Sequence, residues 1–444
     1  MKHLFMMLAA LCAFGAAEAR TPGTAKKTKA KITRVCYRVT AAAEGRTWAV
    51  VRDVPADARG ATVYLRMPGP AGDRLPFGVV PKAECTYNYV NYVELVSQLD
   101  DLDGDGIFDE LVFPVTLDAA RTADVCVEWS TRPVAHDYAP LVNAQMWWKN
   151  PDKTLTERAQ LSSEKDDMYR KLHHHGPAFE SEYAAYRIYF DKKQSIDTYG
   201  KKQPRLELRE TMWYPSDEQL AAGCGHDNLR VFGSVSVGAL KGWNPERRRM
   251  EHIVGMRRRE AAIRARGPLR TVVDMRVEGW KYGGREIDMT SRYILYGGGS
   301  VVKVENRIEG EGADGLEFAT GVMKIRDNKV RIVRDDEGFL LETAGCDFPE
   351  NDTLKWERET VGLALWLPAR QVASQIDDAA SYLCQLRPVD GRIDYWFVMG
   401  WRKSAFLGAD DDEEWFDVFR RRYTSPAAAP GNRPYAEATV ERLD

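Results

Sequence analysis

The sequence predicts an all-β protein: a small N-terminal β-sandwich followed by a much larger antiparallel double sheet. Three observations carry this reading. Short segments rich in Val, Ile, Thr and aromatic residues recur along the chain between Pro, Gly and Asp clusters. No strand–helix–strand rhythm of the kind that builds parallel sheets is present. A chain of 444 residues exceeds what one hydrophobic core ordinarily fills, so two cores are expected.

Residues 1–19, MKHLFMMLAALCAFGAAEA, have a basic start at Lys2, an apolar run over 4–13 and small residues at Ala17 and Ala19. This is the pattern of a secretory signal cut after Ala19, and it predicts a secreted, periplasmic protein. Cys12 would suit a lipid-anchored form, but the bulky Leu11 before it argues for a soluble one. Residues 20–31 are polar and basic and read as a flexible tether. No later run supplies the ~20 apolar residues of a membrane span. A formal net charge of -3 speaks against nucleic acid as a partner.

The first sandwich spans 32–132, with strands expected near 48–54, 61–67, 89–96, 111–115 and 125–129. Between two of them lies DDLDGDGIFDE. Asp101, Asp103 and Asp105 alternate, Gly106 follows and Asp109 comes later, as in the first nine positions of an EF-hand-type loop. Val112 stands where that loop needs its bidentate Glu, so Glu110 or Asp100 would have to complete the shell. Structural Ca2+ is one reading, and an acidic hairpin turn is the other. No organic cofactor is expected. Beyond Cys12 the cysteines are Cys36, Cys85, Cys126, Cys224, Cys346 and Cys384, with no CxxC pair to suggest zinc. Disulfides and buried free thiols both remain open.

Residues 133–172 are irregular and read as a linker wrapping onto the second unit, with Trp147 and Trp148 as stacking or packing aromatics. The second unit, 173–444, is strand-dominated, with candidates near 186–190, 205–208, 231–237, 271–280, 285–295, 300–305, 316–323, 330–343, 361–367, 380–386 and 393–400. By analogy of fold, a galactose-mutarotase-like supersandwich is the known architecture that best fits this size in a carbohydrate setting. The arginine-dense 245–266 reads as partly helical, and DDDEEWFDVFRRRY as a short amphipathic helix.

The chemistry concentrates in 172–200, LHHHGPAFESEYAAYRIYFDKKQSIDTYG. Three adjacent histidines, a Gly-Pro turn, then Glu180, Glu182, Tyr183, Tyr186, Arg187 and Tyr189 crowd one segment. HHHGPAFESEYAAYRIYFDKKQSIDTYGKK, ETMWYPSDEQLAAG and DDLDGDGIFDELVF together resemble a secreted bacterial family filed as domain of unknown function 4861. The resemblance implies a place in polysaccharide breakdown, especially of uronate-containing glycans, and so an anionic oligosaccharide or polysaccharide as partner. It implies no catalytic residues.

Those are argued from residue types. If 183–190 is a strand, Tyr183, Ala185, Arg187 and Tyr189 share one face, and Ala184, Tyr186, Ile188 and Phe190 share the other. A β-elimination on a uronate needs its carboxylate neutralised, a base for the C5 proton and an acid for the group leaving C4. Arg187 suits the carboxylate, His174 or His175 the base, and Tyr183 or Tyr189 the acid. The expected activity is a carbon–oxygen lyase, either chain-cleaving or dehydrating. Glu180, Glu182, Trp147, Trp148, Trp213, Tyr214 and His226 are the candidate substrate contacts. The alternatives are a glycoside hydrolase built on Glu180 and Glu182, a metal site joining the histidines with His226 or His136, and a non-catalytic glycan binder on the aromatics.

Overall fold

The computed structural model describes residues 29–41, 45–66, 79–80, 92–117, 122–165, 167–231, 235–336, 338–408, 414–424 and 437–443. The signal segment, most of the tether, Cys85 and the acidic run 409–413 lie outside the described residues. No described helix is long and apolar enough to cross a membrane.

The first sandwich forms as the alternation requires. Ile32–Thr40, Gly60–Arg66, Tyr92–Leu95 and Thr122–Ser130 belong to a six-stranded antiparallel sheet, and Gly45–Val51, Gln98–Asp100 and Glu110–Leu117 to a three-stranded one. Val39, Val63, Phe113, Val125 and Val127 interdigitate between them with no exposed surface. Cys36 and Cys126 are register partners on neighbouring strands and form a disulfide. Cys224, Cys346 and Cys384 are free. One strand comes from the far end of the chain. Thr439–Leu443, which the sequence reading placed with the second unit, pairs with Ile32–Thr40 and supplies the edge of the first sheet.

The second core is a nine-stranded antiparallel sheet running from Gln160–Ser163 at one edge to Lys329–Arg334 at the other. Two five-stranded sheets pack against it, and one continuous apolar cluster joins all three. The segment 133–172 is therefore no linker. Val142–Gln145 and Gln160–Ser163 enter two of these sheets, and their few residues apiece are too short for periodicity to mark. The arginine-dense segment is likewise extended: Arg249–Glu251 and Arg258–Arg266 are strands, because Ala261, Ile263 and Ala265 alternate into cores while most arginines stay outside. Residues 205–207 are loop leading into the short helix Leu208–Thr211, so the strand expected over 205–208 is not formed. The expected amphipathic helix is present at Trp415–Tyr423, with Trp415, Val418 and Phe419 packed on Ala364 and Val398.

The two sandwiches meet across Trp48, Leu102, Val112, Leu269, Val272 and Tyr296. Arg270 is buried in this seam, pairing with Asp100 at 2.8 Å and Glu110 at 2.5 Å. Asp100 and Glu110 are thus committed to the seam. They are not free to complete a cation shell in the neighbouring acidic loop.

Candidate functional site

The site is built on the five-stranded sheet formed by Val142–Gln145, Ala178–Ser181, Ala184–Ile188, Ile196–Gly200 and His226–Asp227. Alternation along Ala184–Ile188 sends Ala184, Tyr186 and Ile188 into the second core, and the Tyr186 hydroxyl donates to the Ser300 carbonyl at 2.6 Å. The opposite face is covered by the chain from 201 to 227, under which Ala178, Ala185, Tyr199, Leu208 and Trp213 cluster.

Arg187 lies on this covered face and is 5% exposed. Its Nε and Nη2 donate to Asp197, its cross-strand partner, at 3.0 and 2.6 Å. Nη2 also reaches Asp227 at 3.0 Å and Tyr189 at 3.3 Å, while Nη1 donates to the Tyr214 hydroxyl at 2.8 Å. The Trp213 ring lies 4.4 Å beneath the guanidinium, and its Nε1 donates to Asp227 at 3.0 Å. Burial works to lower the pKa of the guanidinium, but Asp197, Tyr189, Asp227 and Tyr214 together hold it well above its ordinary value. Burial first, and the charge of Asp197 second, push the Asp227 carboxyl well above the usual carboxylate range. Asp227 therefore holds its proton more firmly than an exposed carboxyl does.

Tyr214 links this cluster to the histidines. Its hydroxyl accepts from Arg187 and lies 3.3 Å from His175 Nε2, to which it donates. His175 Nδ1 sits 3.0 Å from the Tyr169 carbonyl, and a carbonyl can only accept. Nδ1 therefore carries the hydrogen, and Nε2 presents its lone pair to Tyr214. Burial, reinforced by Arg187, lowers His175 to about 4, so the ring is neutral at pH 7. Tyr169 stacks on it at 3.8 Å. The backbone here is strained: His175, Met212 and Trp213 have φ of 64°, 50° and 74°, a region costing of order 1–3 kcal/mol per residue and concentrated at functional sites.

Tyr214, 44% exposed, forms one wall of a cleft of about 220 Å³. Trp213, Pro215, His226 and Asp227 continue that wall, and Glu350, Asp352, Lys355 and Trp356 face it. His226 bonds to Glu359 at 3.3 Å and lies 4.7 Å from the Trp356 ring.

The other sequence candidates are placed elsewhere or differently engaged. His174 is fully buried, with Nε2 held by the Gln145 amide at 2.9 Å, and cannot touch a substrate without displacing protein. His173 is bound to the Met212 carbonyl at 3.1 Å. The Tyr189 hydroxyl donates to Asp197, and Tyr183 stands edge-on to Phe406 at 5.0 Å, outside the cluster. Glu180 is buried on Lys201 and accepts from the backbone of Glu207 and Leu208, while Glu182 accepts from Gly298. This removes Glu180 and Glu182 as a hydrolytic pair, since neither faces the cleft. Trp147 and Trp148 lie on the short strand Trp147–Lys149, away from the cleft lining, and Trp148 packs on the second core. His136 bonds to the Ala61 carbonyl in the first sandwich. Among the described residues, only Asp101, Asp103 and Asp109 bring three acidic, His or Cys ligand atoms within 4.8 Å of one another. Asp105 turns instead onto the backbone of Ile107. No histidine joins a metal-ligand group among the described residues. Sequence reasoning missed Asp227, Lys355 and Trp356; in CGHDN the histidine drew the attention that its neighbour merited.

Among solved structures, the chain is similar to an alpha-mannosidase from Enterococcus faecalis V583, at 8% identity and a TM-score of 0.35 over 93% of this chain and 46% of that one. It is also similar to a glycosyl hydrolase family 38 protein from Enterococcus faecalis, at 8% identity and a TM-score of 0.31 over 94% of this chain and 46% of that one. The chain thus spans less than half the length of either structure. No curated protein matches it. The family model described as "Domain of unknown function (DUF4861)" matches residues 88–427, which takes in the second core and every residue of the cleft, and the chain belongs to that family.

Proposed function

We propose that this is an exported, periplasmic carbohydrate-active enzyme of polysaccharide breakdown, built on a galactose-mutarotase-like supersandwich. It acts on uronate-containing oligosaccharides by β-elimination, as a lyase or a dehydratase. The observation that carries the reading is the chain Arg187–Tyr214–His175, whose Tyr214 lines the cleft, with the buried Asp227 carboxyl in the same wall. The C5 proton passes to the Tyr214 oxygen as the Tyr214 proton moves to His175 Nε2. The C5–H electron pair forms the C4–C5 double bond and the C4–O bond breaks. The leaving oxygen takes the proton of Asp227, and solvent returns the proton from His175 to Asp227. Arg187 stabilises both the developing phenolate and the Asp227 carboxylate.

Compared with the residues read from sequence, His175 keeps its role as base, Arg187 moves from the substrate carboxylate to stabilising Tyr214 and Asp227, Tyr214 moves from binding to catalysis, and Asp227 enters. The test is to incubate the mature protein with a panel of uronate oligosaccharides, following ultraviolet absorbance and product mass. A conjugated double bond should absorb, and Tyr214→Phe and Asp227→Asn should each abolish the signal. Loss of a water mass identifies a dehydratase, and chain scission a lyase. Unchanged masses with saccharide binding would replace elimination by simple glycan binding, and new reducing ends without absorbance would replace it by hydrolysis.

A further inference from the structure

A uronate places a carboxylate beside the reacting carbon, and something must meet that charge. Arg187 cannot. Its donors are distributed over Asp197, Asp227, Tyr189 and Tyr214, and it is 5% exposed. A substrate carboxylate would have to break these bonds and leave buried acids without their cation.

The facing wall offers an alternative. It is the loop 348–358, between the strands Gly338–Asp347 and Glu359–Pro368. Among the described residues, Lys355 is the only lysine or arginine lining the cleft, and it forms no ion pair. Its ammonium lies 5.1 Å from the ring centroid of Trp356. Trp356 is half-buried and tilted by 32° over His226 at 4.7 Å. Of the acids on this wall, Asp352 is turned back on its own loop, accepting from the backbone N–H of Leu354 and Lys355 at 3.2 and 3.1 Å. A flat apolar ring with one cation beside it matches a pyranose bearing one carboxylate.

We infer that Lys355 and Trp356 form the subsite that selects an acidic sugar, Lys355 pairing with the substrate carboxylate and Trp356 stacking on the ring. This rests on the reading of the cleft as an elimination site for uronates. Both residues are specificity determinants. By neutralising the carboxylate, Lys355 also makes the C5 proton easier to remove, so kcat as well as KM responds to it.

The experiment uses the full mature chain. Affinity of the Tyr214→Phe protein for a uronate oligosaccharide and for its carboxyl-reduced neutral analogue is measured by calorimetry, with and without Lys355→Met. Lys355 is exposed, so the substitution leaves the fold intact. Loss of one charge-assisted contact should weaken uronate binding by about 10- to 100-fold and leave the neutral analogue unchanged. Lys355→Glu should weaken uronate binding further, and Trp356→Leu should weaken both ligands. Equal effects of Lys355→Met on both ligands, or none on either, overturn the subsite even where wild-type elimination stands. Absence of both elimination and saccharide binding in every form overturns the cleft reading, and the subsite with it.

Discussion

Lys241 is the most exposing test of the second core, because its side chain is the least compensated charge inside it. It is 1% exposed, and its ammonium has no hydrogen-bond partner among the described residues. Burial lowers its pKa from 10.5 to about 7, with Asp191 opposing this and Arg259 and Lys193 adding to it. The folded state thus binds the proton more weakly than the unfolded chain does. The resulting penalty is full below about pH 7, shrinks as the pH rises, and vanishes above the unfolded value of 10.5. At about 1.4 kcal/mol per tenfold factor, the full penalty is roughly 5 kcal/mol, of which roughly 3 kcal/mol is relieved between pH 6 and pH 9. Lys241→Met removes the group while retaining its stem volume. The variant should be more stable than wild type at pH 6, and the gap should narrow by roughly 3 kcal/mol at pH 9. The assay is denaturant unfolding of both proteins across that range, with the difference between them cancelling every other titration. A gap that stays constant with pH, or a variant less stable at pH 6, would refute the reasoning.

Three further outcomes are expected. Because His175 is held at about 4, kcat/KM for elimination should persist as the pH falls through 6.5 and decline only near 4; an acid limb at 6.5 would remove His175 as the base. Gly176→Ala should destabilise by at least about 1–3 kcal/mol in chemical denaturation, since a β-carbon there would stand 1.7 Å from the Ile188 carbonyl oxygen. If the Asp101, Asp103 and Asp109 carboxylates hold Ca2+ as a structural ion, saturation to 100 times Kd should stabilise chelator-treated protein by about 2.7 kcal/mol, and Asp101→Asn should abolish the gain. An unchanged melting temperature marks the loop as an acidic turn.

Local periodicity made much of the fold legible. The split of residues 183–190 into two faces follows from a repeat of two, and it places Tyr186 with the core side, where it packs. The helix Trp415–Tyr423 was legible for the same reason, as its aromatics fall at helical spacing. Where neighbours across the sheet decide, the sequence was silent or misleading. Arg258–Arg266 looks like a charged helix until its pairing with Arg270–Tyr282 is known. The strands within 133–172 are three or four residues long, below the length at which alternation can be recognised. At the site, the histidine cluster drew attention to the right wall, but the facing wall comes from a loop more than a hundred residues later. Nor could sequence reveal that Arg187 is already saturated. That depends on Asp197, Asp227, Tyr189 and Tyr214 converging from separate segments.

The return of Thr439–Leu443 to the first sheet has a consequence for how the chain is made. Strands early in the chain emerge first, yet the edge of Ile32–Thr40 stays open until Thr439–Leu443 arrives. Over that interval the edge offers unpaired backbone groups to any other nascent chain. The Cys36–Cys126 link lies across the opposite edge of the same strand and can close early, fixing its pairing with Thr122–Ser130 before the second core is complete. Residues 29–132 expressed alone would carry that open edge permanently, and such a fragment should self-associate unless a peptide matching 437–443 is supplied in trans.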